Sequence, residues 1–199
     1  MTFPTSQNFV SFIILLVLLV SCQKVHDPSR PPIYEMDYVD LNDQEIKDKS
    51  RPAVLDLDMD QKPDLIFGIL LVGDPVNQLD KTQYRVTSGI YTRLPVNYLE
   101  QVPKLSRGDM IPLHNFNGHQ WYEVSSVVLA ERIENIAGTI RWNGNWQNAT
   151  KNFLPIQLIK NNQRFNGWIE LTFDLVNEKI ILHRAATSKH PEKDIRAGI

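Results

Sequence analysis

Apolar and polar residues alternate along this chain in short runs, and the runs predict strands. The clearest spans residues 165–173, with Gly167, Ile169, Leu171 and Phe173 on one face and Asn166, Trp168, Glu170 and Thr172 on the other. That period of two marks a strand with one face on a core. Residues 153–159 read as a preceding strand interrupted by Pro155, and 179–183 as a following one. Asn161-Asn162-Gln163 and Asn177-Glu178 supply turns between them, so the last third predicts a three-stranded antiparallel meander. Upstream, short strands are predicted at 34–39, 53–55, 65–73, 83–86, 90–93, 110–113 and 121–129, and a charged loop at 42–50. Only 127–136 carries a helical pattern, and a weak one. The expectation is an all-β chain, an antiparallel β-sandwich or jelly roll with at most one short helix.

The start of the chain breaks the alternation. Residues 9–20 are almost wholly apolar, but the run is shorter than the ~20 residues of a membrane-spanning helix, so it predicts the core of a signal peptide. Leu19-Val20-Ser21-Cys22 then resembles the lipobox of bacterial lipoproteins, in which cleavage precedes a cysteine that receives lipid; no Lys or Arg precedes the run, a departure from that pattern. Cys22 is the only cysteine, so an intrachain disulfide is excluded. Several acyl chains at ~0.8 kcal/mol per buried CH₂ would hold the protein stably on a membrane. The expected organisation is a signal peptide at 1–21, an extended Pro-containing tether at 22–33 and a single β-sandwich domain at 34–199. Gln23 follows the cysteine, which by the same resemblance implies an outer-membrane lipoprotein of the cell envelope, on its periplasmic or surface face. The net charge of −2 and the lack of a basic stripe argue against a nucleic-acid partner.

The densest chemistry lies at Asp56-Leu57-Asp58-Met59-Asp60-Gln61-Lys62-Pro63-Asp64. Four carboxylates this close repel one another unless a hard cation holds them. Ca²⁺ takes oxygen ligands at ~2.3–2.6 Å, and acidic loops supply them from positions 1, 3, 5, 7 and 9. Those positions are the carboxylates of Asp56, Asp58 and Asp60, the carbonyl of Lys62, and Asp64. Position 6, commonly Gly, is Gln61, and position 12 is Phe67 where a helix–loop–helix site would place Glu. The expected cofactor is a structural Ca²⁺ in a loop leading into β-structure.

Taken together, several motifs resemble small, largely uncharacterised lipoproteins of Bacteroidota-type bacteria. They are the Asp-x-Asp-x-Asp-x-x-x-Asp loop, Phe165-Asn166-Gly167-Trp168-Ile169-Glu170-Leu171, Ala185-Ala186, Ile195-Arg196-Ala197-Gly198 and the Gly108-Asp109-Met110-Ile111 segment. The resemblance implies a tethered β-sandwich without known catalytic activity; Gln61 departs from the family's loop glycine.

Other motifs point less far. The five histidines form no zinc-binding spacing, and no Gly-x-Ser-x-Gly is present. A glycoside hydrolase would need two carboxylates ~5–5.5 Å apart if retaining. Glu170 and Asp174, four residues apart on one strand, would stand about 13 Å apart. Trp142 and Trp146 flank Asn143-Gly144-Asn145 and could stack on sugars, which makes a surface glycan- or protein-binding module the second functional expectation. Arg107-Gly108-Asp109 matches an adhesion tripeptide that recurs easily by chance.

Overall fold

The computed structural model describes residues 33–47, 49 and 51–199. The signal peptide, nearly all of the tether and Cys22 lie outside the described residues. Residues Ile33–Ile199 form one compact unit. In chain order the strands are β1 (Met36–Ile46), β2 (Ala53–Leu55), β3 (Leu65–Asp74), β4 (Leu79–Ser88), β5 (Thr92–Val96) and β6 (Met110–Ile111). There follow β7 (Gln120–Glu123), β8 (Ser126–Asn135), β9 (Ile140–Asn143), β10 (Asn152–Lys160), β11 (Gln163–Asp174), β12 (Lys179–Ser188) and β13 (Ile195–Arg196). There is no helix among the described residues, and 127–136, the one stretch with a helical pattern, is strand β8.

The strands make a six-stranded sheet in the order β1-β12-β11-β10-β5-β7 and a five-stranded sheet in the order β2-β3-β4-β8-β9, with β6 and β13 as a separate pair. The predicted meander is β10-β11-β12. Asn161 and Asn162, both at positive φ, make the two-residue turn that suits a right-twisted hairpin. Pro155 does not interrupt β10: β5 pairs only at Gln157 and Leu158, so the missing N–H costs no ladder bond to that neighbour. The charged stretch after Asn42 is not a loop, because Gln44, Glu45 and Ile46 pair with Leu182, Ile181 and Ile180 beyond a bulge. The segment read as one strand over 121–129 is two, β7 in one sheet and β8 in the other.

Apolar side chains of both sheets meet in one core: Phe67, Tyr84, Val86 and Leu129 from the five-stranded sheet, and Leu154, Ile156, Ile169, Leu171 and Leu182 from the six-stranded one. Period-2 alternation along β11 implied one covered face, but both are covered. On the outer face Trp168 and Phe153 are buried under Ile111, Ile195 and Ala197, a second, smaller apolar cluster capped by β6 and β13. Buried Asn166 ties cap to sheet, donating from Nδ2 to the carbonyls of Ile111 (3.1 Å) and Lys193 (3.0 Å) and accepting from Gln157 Nε2 (2.9 Å). Such a polar group is tolerated in a core because its hydrogen bonds are made.

Candidate metal centre

The acidic loop joins β2 to β3, and its ends are clamped. Asp64 N–H donates to the Leu55 carbonyl (2.8 Å), and Gly89 N–H, just past β4, donates to the Asp64 carbonyl (2.7 Å). Within this frame Asp56, Asp58 and Asp64 each bring a carboxylate oxygen within 4.8 Å of the others. Ligands ~2.3–2.6 Å from one ion stand no more than roughly 5 Å apart, so three carboxylates at this spacing fit a shared Ca²⁺. Met59 (φ 59°) and Gln61 (φ 68°) take the left-handed backbone that turns the loop. Position 6 thus has the conformation for which glycine is usually chosen, with glutamine holding it.

The fourth predicted carboxylate stands apart from that trio. Asp60 accepts from both Lys62 N–H (2.8 Å) and Lys62 Nζ (2.9 Å), and the lysine holds its carboxyl below the ordinary aspartate range. Lys160 Nζ lies 3.4 Å from Asp58 Oδ2. Two ammonium groups therefore offset part of the loop's negative charge. The remaining acceptors are drawn onto the loop's own backbone: Asp56 Oδ2 accepts from Gln61 N–H (2.9 Å), and both Asp56 and Asp58 accept from Asp60 N–H (3.2 Å).

Asp64 is the buried member, 7 % exposed. It accepts from Leu57 N–H (2.7 Å) through one oxygen and from the Thr92 hydroxyl (2.9 Å) through the other. Burial pushes its carboxyl up, these two hydrogen bonds oppose that, and the charges of Asp58 and Asp56 push in the same direction as burial. A cleft of about 490 Å³ opens beside the loop, lined by Asp58, Asp60, Asp64, Lys160 and Tyr91 among others. Sequence reasoning missed Thr92, Tyr91, Lys160 and the backing Gly89, which come to the loop from distant strands and carry no local motif.

The two tryptophans form no sugar platform. Trp146 is wholly buried, with its indole N–H on the Val102 carbonyl at 3.3 Å. Trp142 packs edge-on against Phe173 (5.5 Å) and tilted on Tyr84 (5.9 Å). Both indoles go into the sandwich because the hairpin carrying them folds back onto the bulge at Leu129, whose carbonyl accepts Trp146 N–H (3.2 Å).

A second polar cluster, on the outer face of the six-stranded sheet, had no sequence signal. His183 bridges Asp43, on the β1 bulge, and the Thr172 hydroxyl (2.8 Å). Glu170 pairs with Arg184 beside them around a hollow of about 440 Å³. An acid–imidazole–hydroxyl series is the arrangement that activates a nucleophile in acyl transfer. Thr172, however, is not among the residues lining the hollow, and its oxygen already accepts Lys151 N–H (3.0 Å). The geometry is that of a brace across β1, β12 and β11. Comparison with known proteins finds no matching family model, no matching curated protein and no matching solved structure.

Proposed function

We propose that this chain is a membrane-tethered, non-catalytic lipoprotein of the bacterial outer membrane whose β-domain is stabilised by Ca²⁺. The observation that carries the metal reading is the convergence of Asp56, Asp58 and Asp64 within 4.8 Å on a loop clamped at both ends. A cation bound there replaces the two lysines as counter-charge and ties β2 to β3 beside the end of β4. The tether rests on the apolar run at 9–20 and on Ser21-Cys22.

Thermal melting in millimolar Ca²⁺ and in chelator tests the metal. At free Ca²⁺ of one hundred times Kd, linkage gives ~2.7 kcal/mol, a rise of roughly 5–10 °C for a domain of this size. Asp56→Asn with Asp58→Asn should abolish the rise while sparing the metal-free melting temperature, because it relieves repulsion. Equal melting of the wild type in both buffers refutes the metal. Fractionation tests the tether: Cys22→Ser should move the protein from the membrane to the soluble fraction, and continued membrane association of the processed variant refutes it.

A further inference from the structure

The two ends of the sandwich differ in how they present apolar side chains. One end carries the acidic loop, the β4–β5 connection and the β7–β8 connection, and hydrogen bonds lace the three together. Gly89 N–H donates to the Asp64 carbonyl (2.7 Å), Ser88 N–H to the Ser125 carbonyl (2.8 Å) and Ser125 N–H to Ser88 Oγ (2.8 Å). Met59, Ile90, Tyr91 and Val124 stand on these connections, each between 54 % and 81 % exposed. Three of the four hold left-handed backbone: Met59 (φ 59°), Tyr91 (φ 70°) and Val124 (φ 50°). Bulky residues rarely sit there, and a β-branched one such as Val124 is the extreme case. At the other end Val76, Ile136 and Val176 are more exposed still, but the left-handed turn positions fall to Gln78, Gly138 and Glu178. Strain persists where a contact uses it, and no packing inside the domain uses the solvent-facing side chains of Met59, Tyr91 and Val124.

The described chain begins at the same end. β1 runs in the direction of β11, since both are antiparallel to β12. Tyr34 packs on His190, with ring centroids 5.9 Å apart, and Glu192 N–H in that segment donates to the Arg164 carbonyl (2.8 Å). Arg164 follows the β10–β11 turn, whose Asn161 and Asn162 line the cleft beside the acidic loop. The eleven residues from Cys22 to Pro32 reach at most about 40 Å. β11, with twelve residues, is itself almost 40 Å long, on the order of 3.3 Å per residue. A lipid on Cys22 therefore brings the loop end to a bilayer directly. It brings the far end there only with those residues drawn straight along the whole domain.

We propose that the loop end docks on the bilayer that holds the lipid, with Met59, Ile90, Tyr91 and Val124 set into the headgroup region. The proposal rests on the lipid tether. The aliphatic and thioether groups leave water there, and the phenol of Tyr91 suits a boundary between apolar and wet surroundings. Four side chains set only into the headgroup region bury less apolar surface than an acyl chain, which by itself gives marginal, reversible binding. The contact thus orients a tethered domain and does not hold a free one, so the release of Cys22→Ser is unaffected.

The processed, lipidated chain in phosphatidylcholine vesicles that carry a lipid-phase quencher tests this, and zwitterionic lipid keeps the loop's carboxylates, and any metal on them, out of the result. With the Cys22 sulfur lipidated, an introduced cysteine is the sole free thiol and takes a fluorescent label. Labels at Met59→Cys and Val124→Cys should be quenched several-fold more strongly than labels at Val76→Cys and Val176→Cys. Adding Met59→Ser and Ile90→Ser should lower quenching at position 124 to the far-end level; undiminished quenching there reports the dye alone and overturns the proposal. Two label sites on separate loops keep the test open should one variant fold poorly. A wild-type chain that fails to float with the vesicles refutes the tether and the docking with it. Chains that float but are quenched equally at both ends overturn the docking alone, as do chains quenched at neither end, which leaves the loops to a protein partner.

Discussion

Gln61 sits at φ 68°, where a side chain meets the following carbonyl at a cost of roughly 1–2 kcal/mol. Glycine removes that strain but adds freedom to the unfolded chain worth about 0.4–1 kcal/mol, and a β-branched residue worsens the strain. Stability in chelator should therefore rank Gln61→Gly above wild type above Gln61→Val, with about 2 kcal/mol between the extremes in urea melts. A flat series would mean the loop relaxes out of this conformation in solution. Gly89 faces a different restriction. A Cβ there would stand 2.1 Å from the Pro63 carbonyl oxygen, so the acidic loop rests against bare backbone at the end of β4. Gly89→Ala should cost about 2 kcal/mol or more by pushing the loop away. It should also shrink the melting shift that Ca²⁺ produces, because Asp64 is held by the neighbouring Gly89 N–H.

At the scale of elements, β4 is joined to the opposite sheet by Tyr84, whose hydroxyl donates to the Glu178 carbonyl (2.8 Å) in the β11–β12 turn. Arg132 on β8 adds an ion pair to the Glu178 carboxylate, 3.0 Å away but off the line of a hydrogen bond. Burial first, and then the Glu178 charge, push the Tyr84 phenol up to about 12. Its folded value is raised, so its contribution is whole below the unfolded value near 10 and is lost as pH rises from 10 through 12. By the top of that window wild type should have lost about 2–3 kcal/mol. Tyr84→Phe should be about 1 kcal/mol less stable at pH 7 yet flatter above pH 10, so urea melts at pH 7, 10 and 11.5 should show the two proteins converging. Elements differed in how well local sequence displayed them. β10, β11 and β12 were readable because side-chain turn chemistry at Asn161-Asn162 and Asn177-Glu178 separates three apolar-rich runs, the middle one alternating with a period of two. β8 was not: a register shift opposite Tyr84 and Arg85 leaves Leu129 as an extra residue, so buried Val127, Ala130 and Ile133 fall three apart and mimic a helix. The acidic loop was legible for the opposite reason, since its carboxylates are neighbours in sequence. Thr92, which completes Asp64's hydrogen bonding, lies 28 residues away, and no local pattern reports it.

Across the whole molecule, the six-stranded sheet belongs to two apolar clusters at once, and this determines how the protein should unfold. Ile169 and Leu171 point into the sandwich, while Trp168, between them and Gly167 on the same strand, points into the small outer cluster with Phe153, Ile111 and Ile195. A patch of that size cannot stand alone, and a sheet stripped of it would expose an indole and a phenyl ring on its outer face. The two clusters should therefore melt together. Ile195, 4 % exposed on two-residue β13, tests this because it touches only the outer cluster. Ile195→Ala removes buried methyl groups and leaves a cavity, which should cost about 2–4 kcal/mol. With a shared sheet, the far-UV signal of the strands and the fluorescence of the buried tryptophans should shift to lower urea by the same amount and remain superimposable. Were the cap an independent layer, fluorescence would change first, as Trp168 became exposed while Trp146 remained in the intact sandwich. The far-UV transition would then stay at its wild-type midpoint. Coincident transitions in Ile195→Ala are the expected result, because Trp168 and Phe153, the largest side chains of the outer cluster, lie on β11 and β10, whose other faces hold the main core.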